Sequence, residues 1–101
     1  MIYQRANSFN KAEIMSDSST LEFPCDFPIK ALGHSGADFQ VLVTELISRH
    51  APDIDLRTLR IRDSRNGRYQ SVTLTVHARS RDQLDAIYRD LSSHERVIMA
   101  L

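Results

Sequence analysis

Apolar residues recur along this chain with two different spacings, and the order of those spacings constrains the fold most strongly. Every second residue is apolar over 27–31, 59–61 and 72–78, which is typical of strands with one buried face. Spacings of three and four predict two helices, with apolar faces formed by Phe39, Leu42, Val43, Leu46 and Ile47, and by Leu84, Ile87, Tyr88 and Leu91. The apolar run at 97–101 predicts a last strand covered on both sides or lying near a partner.

The resulting order, strand, helix, strand, strand, helix, strand, predicts an α+β ferredoxin-like βαββαβ sandwich. Right-handed crossovers place both helices on one face of a four-stranded antiparallel sheet with strand order 4-1-3-2. The other face of the sheet is then left uncovered. The same topology brings the loop after the first strand, the hairpin between strands two and three, and the end of the second helix to one edge.

The chain of 101 residues is long enough for one domain, which we expect over 22–101. Residues 1–21 show neither apolar spacing and are rich in serine and asparagine, which predicts a disordered tail. Met15 lies within that tail and is an alternative start of translation.

Turn-forming residues separate the predicted elements. The run Gly33, His34, Ser35, Gly36 is expected to end the first strand, with Ser35 and Asp38 forming a capping box for the first helix. Asn66 and Gly67 tolerate positive φ angles, so they predict a tight turn between the second and third strands.

The charge balance and the cysteine count exclude several classes of protein. Thirteen basic and thirteen acidic residues give zero net charge, so long-range attraction to nucleic acid or to an anionic membrane is absent. The single Cys25 cannot form an intrachain disulfide, and no apolar run reaches transmembrane or signal-peptide length. We therefore expect a cytoplasmic protein without membrane contact.

The histidines do not form a recognisable metal site. His34, His50, His77 and His94 stand apart, without the close spacing that zinc ligands show, so we expect no metal and no cofactor. Cys25 has no basic neighbour and is expected to be inert.

Six residues at the shared edge form the candidate binding site: Gly33, His34, Ser35, Gly36, Arg65 and Arg68. A glycine-flanked helix N-terminus offers free N–H groups, and two nearby arginines could bind a carboxylate or phosphate. The alternative is that the glycines make a tight connection, the serine caps a helix and the arginines keep a turn soluble. The residues alone leave both explanations open.

Nucleic-acid binding is the alternative function. Five arginines within twelve residues could form a basic ridge along the second strand and its turn: Arg57, Arg60, Arg62, Arg65 and Arg68. The outward positions of the third strand are Ser71, Thr73, Thr75 and His77, whereas an RNA-binding sheet needs aromatic residues that stack on bases. A solvated edge protected by arginines explains the ridge better, so we expect nucleic acid not to be the partner.

Several short motifs resemble those of the YbeD family of small bacterial proteins. They are the opening 21–24 (Leu-Glu-Phe-Pro), the helix end 49–52 (Arg-His-Ala-Pro), the hairpin 64–72 and the final strand 97–101. The resemblance implies a ferredoxin-like fold similar to ACT domains, the regulatory modules that bind amino acids and pair through their sheets. An ACT-like site would use the loop 33–38 with a neighbouring subunit, although Gly-His-Ser-Gly replaces the Asp-x-Pro-Gly pattern of many such loops.

The expected function is that of a non-enzymatic, ACT-like regulatory or binding module. Its ligand would be a small anionic metabolite or a partner protein such as an enzyme. Acylphosphatases share the topology but carry an arginine in the first loop, which this chain lacks, and Asn66 is explained by the turn. We also expect a homodimer through the open sheet face or the last strand, with Ile98 and Ala100 opposite the core.

Overall fold

A computed structural model describes residues 22–101. The predicted tail 1–21 and the alternative start at Met15 lie outside this range. The elements in chain order are β1 (Cys25–His34), α1 (Phe39–Ser48), a short 3-10 helix (Leu56–Thr58), β2 (Arg60–Asp63), β3 (Tyr69–Ala78), α2 (Arg81–Ser93) and β4 (Val97–Ala100).

The four strands form one antiparallel sheet in the order β2-β3-β1-β4, which confirms the predicted fold class and strand order. The two ten-residue strands, β1 and β3, lie at its centre and pair over their full length. Helix α1 packs over β1 and β3, and helix α2 packs over β3 and β4, so the main helix contacts are with strands other than the edge strand β2.

The core lies between the sheet and the two helices. Alternate residues of the central strands are buried, as with Ile29 opposite Leu74, because successive side chains of a strand point to opposite faces. The helices contribute Phe39, Val43, Leu46, Ile47, Leu84, Ile87, Tyr88 and Leu91. These residues are the apolar faces that the sequence predicts, except that Leu42 is only partly buried.

The first strand is longer than its glycines suggest. Gly33 and His34 are the last two residues of β1 and pair with Gln70 and Tyr69 of β3, so the strand ends within the predicted run 33–36 and not before it. The reason is packing: a Cβ on Gly33 would lie 2.5 Å from the Arg96 carbonyl oxygen and 2.5 Å from the Phe39 ring. Glycine therefore allows the neighbouring elements to close onto the strand.

The predicted capping box at the start of α1 is wrong. The N-cap residue is Asp38, whose side chain makes no capping hydrogen bond, and Ser35 lies three residues before it. The Asp38 carboxylate is instead paired with Arg96, 3.0 Å away. Helix α2 does have a side-chain cap, since the Ser80 hydroxyl accepts a hydrogen bond from the Gln83 N–H.

The second strand differs from the half-buried strand that its alternation predicts, and the last strand has an irregular register. All four residues of β2 are exposed, and Ile61 retains 42% of its accessible surface, because the strand lies beyond the helices. In β4, the register with β1 shifts between Leu32 and Gly33. Ala100 consequently pairs with Ala31 in the buried layer, so the expectation that it lies opposite the core is wrong.

Candidate functional site

The loop after β1 and the β2–β3 hairpin are neighbours, as the topology predicts. The Ser35 N–H donates a hydrogen bond to the Arg68 carbonyl oxygen at 3.0 Å, and the His34 ring lies 5.2 Å from the Tyr69 ring. Four of the six candidate residues therefore lie beside the start of β3. They are Gly33, His34, Ser35 and Arg68.

A residue that the sequence did not single out, Arg96, occupies the centre of this edge. It lies in the connection from α2 to β4, and its guanidinium pairs with Asp38 at 3.0 Å. The guanidinium carbon also lies 5.7 Å from the centre of the Phe39 ring, within range of a cation–π interaction. A Cβ on Gly36 would meet the Arg96 Nη2 at 2.8 Å. Arg96 thus lies over the loop proposed to hold the ligand.

The ion pair changes the electrostatics of the loop. The hydrogen bond from Arg96 holds the pKa of the Asp38 carboxyl below its ordinary value of 3.8, and the backbone hydrogen bond of Asp38 and the charge of Arg96 add to this effect. Each charge is largely compensated by the other. The guanidinium beside Gly36 is therefore already paired with a carboxylate, with which an anionic ligand would have to compete.

The hairpin arginines are placed differently from Arg96. Arg65 and Arg68 are exposed at the turn, where Gly67 has a φ of 73°. The Asn66 Oδ1 accepts hydrogen bonds from the Arg68 N–H and the Ser64 hydroxyl. Asn66 therefore acts as the turn residue that its position before a glycine indicates.

The histidines have separate surroundings. His50 Nε2 lies 2.6 Å from Asp90 and links the two helices, while His77 lies 3.2 Å from Asp26. His94 Nδ1 accepts a hydrogen bond from the Arg96 N–H at 3.2 Å. Within 22–101 no three histidine, cysteine or acidic residues come together as a set able to hold a metal ion.

No helix in the same range is both long and apolar enough to cross a membrane.

The sheet face opposite the helices carries a strip of three apolar side chains, which we call the apolar strip: Leu32, Met99 and Leu101. Leu32 pairs with Met99, and Leu101 exchanges both backbone hydrogen bonds with Lys30, at 3.0 and 2.8 Å. These positions share the face that the helices do not cover. Each of the three side chains is half-buried and retains accessible surface.

Three basic residues lie on the same face: Arg60 and Arg62 at the opposite margin on β2, and Lys30 on β1 beside the apolar strip. Arg60 pairs with Thr73, which pairs in turn with Lys30, and Arg62 pairs with Ser71. Residues that pair directly share a face, so the register places these three basic residues and the central hydroxyl groups together. The sequence pattern indicated the basic ridge but could not show its position relative to the apolar strip.

A second apolar region lies on the helix side, along the outer face of α1. A groove of about 420 Å³ runs between α1 and the 3-10 helix and is lined by Val41, Leu56 and Leu59 among polar side chains of α1. Val41 and Leu56 are 59% and 58% exposed, the highest values among the large apolar residues of 22–101. This groove was not predicted, because Val41 lies outside the buried helix face.

Comparisons with known proteins agree with the motifs. Residues 18–101 match the family described as "Protein of unknown function (DUF493)". The UPF0250 protein of Nitrosomonas europaea is 47% identical over 87 residues, covering 86% of this chain and 100% of that protein. The UPF0250 protein of Azotobacter vinelandii is 52% identical over 82 residues, covering 80% of this chain and 89% of that protein.

A solved structure shares the fold. The solution structure of protein HP0495 from H. pylori aligns with a TM-score of 0.62, covering 81% of this chain and 86% of that chain. At 14% identity the likeness concerns the fold alone. The family match and the relatives together show that the chain belongs to the DUF493 family, which is the YbeD family that its motifs resemble.

Proposed function

We propose that the chain is a non-catalytic regulatory or binding module that works as a homodimer, with the uncovered sheet face as its dimer surface. The observation that carries the proposal is the apolar strip, which lies on a face that no described element covers. Removing apolar surface from water is favourable by roughly 25 cal/mol per Å². A second copy placed over the strip would supply that burial.

The size of the face determines how strong the dimer can be. Strands lie about 4.8 Å apart and rise about 3.3 Å per residue, so the four strands offer on the order of 450 Å² per copy. Stable interfaces bury about 800 Å² per partner. We therefore expect a weak dimer whose population depends on protein concentration.

The basic margin is compatible with this arrangement. The apolar strip lies at the β1–β4 side of the face, whereas Arg60 and Arg62 lie on β2, at the other side. A two-fold axis through the strip carries the arginines of the two copies to opposite ends. The arginines then stay apart and the strips meet, while Lys30, which pairs with Leu101, lies near the axis.

The resemblance to ACT domains supports a regulatory role, because those modules pair through their sheets and respond to small ligands. The effector would be a small anion at the loop 33–36, with Arg65 and Arg68 as counter-charges, since the loop and the hairpin are hydrogen-bonded neighbours. A thermal-shift panel of anionic metabolites tests this part. Stabilisation that Arg68→Ala reduces supports it, and no stabilisation by any member contradicts it.

Sedimentation velocity tests the dimer itself. We expect the wild-type chain to sediment faster as its concentration rises, and Leu32→Asp to sediment as a monomer, because the variant places a carboxylate within the strip. Val41→Asp is the matched control, since Val41 is exposed on the helix side. A wild-type chain that stays monomeric at high concentration contradicts the proposal.

Nucleic-acid binding is the second candidate, and one observation favours it: Lys30, Arg60 and Arg62 share the open face. Retention on RNA or DNA that falls steeply with salt, and falls again in Arg62→Ala, would support this candidate over the first. If Arg62→Ala is retained as strongly as the wild-type chain, the observation that favours nucleic-acid binding no longer supports it.

A further inference from the structure

The edge strand β2 has an open side. It is the terminal strand of the sheet, paired only with β3 among the described elements, and all four of its residues are exposed. An exposed strand edge presents unpaired N–H and C=O groups, which can pair with another extended segment. Peptide recognition by strand addition uses edges of this kind.

The side chains of β2 alternate in chemistry. Arg60 and Arg62 face the open side of the sheet, while Ile61 pairs with Val72 and faces the helix side. Arg62 makes no ion pair with another residue of 22–101. The edge therefore offers positive charge on one face, and on the other the apolar side chain of Ile61 beside the Asp63 carboxylate, which accepts a hydrogen bond from the Gln70 side chain.

The apolar groove continues the helix-side face of this edge. Leu59 immediately precedes β2, lies on the same face as Ile61 by strand alternation, and lines the groove together with Val41 and Leu56. An extended segment lying beside β2 would have apolar side chains directed toward this groove. Its alternate side chains would point to the arginine face.

We propose that β2 binds an extended segment of a partner protein in which acidic and apolar residues alternate, adding it to the sheet as a fifth strand. The acidic side chains lie opposite Arg60 and Arg62, and the apolar ones pack against Ile61 and into the groove. Charge complementarity and the alternation of the two faces define this occupant together. The proposal goes beyond the homodimer and does not rest on it.

A second copy of this chain is a poor occupant of the same edge. Residues directly opposite in an antiparallel pair share a face, so symmetric pairing centred on Ile61 sets Arg60 against Arg62 of the other copy. Pairing centred on Arg62 sets that residue against itself. Like charges directly opposite are destabilising, so the arginines select against self-pairing.

The side chain of Arg60 limits where the added strand can begin. Its Nη1 donates hydrogen bonds to the carbonyl oxygens of Leu59, at 2.9 Å, and Arg57, at 3.1 Å. The Arg60 guanidinium therefore lies against the backbone before β2, so we expect main-chain pairing with the partner to start after residue 60. The added segment is consequently short, and its side chains must supply much of the affinity.

The test uses a short synthetic peptide that alternates glutamate and valine, added to the full chain and followed by amide NMR. We expect shifts concentrated on β2 and on the residues of the groove, and slowed hydrogen exchange at the edge. A peptide alternating lysine and valine should not bind. The glutamate–valine peptide with N-methyl groups on alternate amides keeps its charges but loses N–H donors, and it should bind more weakly.

Variants separate the charge from the overall fold. Arg62→Glu should weaken binding of the acidic peptide by about fivefold, the upper range for an exposed charge pair. Arg81→Glu makes the same change of net charge at the exposed start of α2, away from β2, and should leave binding unchanged. Val41→Asp should weaken it, and Met99→Asp, which changes the apolar strip one strand farther from Arg62, should not.

Three results would overturn the proposal. They are equal binding of the N-methylated peptide, shifts confined to regions away from β2, and no binding of the acidic peptide at all. The peptide series is measured on the wild-type chain, so it decides the question even where a variant fails to fold. The Met99→Asp measurement separates this outcome from that of the homodimer.

Discussion

Arg96 connects three parts of the molecule through one side chain. Its guanidinium contacts Asp38, lies over the ring of Phe39 and excludes a Cβ from Gly36. The topology predicts that His94, two residues earlier, lies at this edge, but nothing in the sequence distinguishes Arg96 among thirteen basic residues. The topology places the loop that contains Asp38 next to the end of the second helix. An acidic residue there could have indicated that a basic residue such as Arg96 pairs with it.

The Asp38–Arg96 pair predicts a dependence of stability on acid pH. The pKa of Asp38 is lower in the folded chain than its ordinary value of 3.8, so the folded state binds a proton less readily than the unfolded state. The contribution to stability is therefore complete above that ordinary value and is lost as pH falls through the folded pKa. Measured by urea unfolding, the free energy of unfolding should fall less between neutral and acid pH in Asp38→Asn than in the wild-type chain. An unchanged pH profile in that variant would contradict this role.

The two glycines beside Arg96 should differ in their tolerance of a methyl group. In Gly33→Ala the new Cβ meets the backbone oxygen of Arg96 at 2.5 Å, which cannot move easily, so we expect a loss of about 1–3 kcal/mol in unfolding free energy. In Gly36→Ala the contact is with the flexible end of Arg96. Chemical denaturation should therefore show a smaller loss, and equal losses would refute the packing explanation.

At the scale of elements, the sequence predicted the long, regularly spaced segments best. β3, α1 and α2 have buried faces that repeat over ten residues or more, and packing against the core preserves those patterns. The short strands β2 and β4 depend on their neighbours instead. The exposure of Ile61 follows from where the helices end, and the shift at Leu32 and Gly33 follows from pairing with β1, so neither could be predicted locally.

The helix starts give a prediction at this scale. The Ser80 hydroxyl accepts a hydrogen bond from the Gln83 N–H at 3.1 Å, so Ser80→Ala should cost about 1 kcal/mol of unfolding free energy. Ser35→Ala is the control, because Ser35 was predicted to cap α1 and is not its N-cap residue. Chemical denaturation gives the free energy of unfolding of both variants, and we expect the larger loss in Ser80→Ala. A larger effect at Ser35 would restore the predicted capping box.

For the whole molecule, the topology separates two surfaces at opposite margins of one sheet. The apolar strip lies toward β4, and the exposed edge with its basic face lies at β2. The sequence predicted the uncovered face between them, because element order alone determines which side the helices occupy. It could not predict which margin is apolar, since that requires the register of each strand.

A weak dimer predicts thermal stability that depends on protein concentration. Association of folded chains stabilises them by mass action, so the melting temperature of the wild-type chain should rise as its concentration increases. Leu32→Asp should melt at one temperature throughout. Differential scanning calorimetry over a wide concentration range measures both, and identical concentration dependence in the two proteins would contradict the assigned surface.

The irregular register of β4 has a consequence for tolerance of changes in chain length. Val97 and Ala100 are both buried on the helix side although they are three positions apart. Strict alternation would place them on opposite faces, but Ile98 is an extra residue that has no partner in β1. Deleting Ile98 would restore strict alternation and keep Met99 on its present side. Inserting one residue after Met99 would instead reverse the orientation of the chain end, so that the methyl of Ala100 would point outward and the larger side chain of Leu101 would be forced inward.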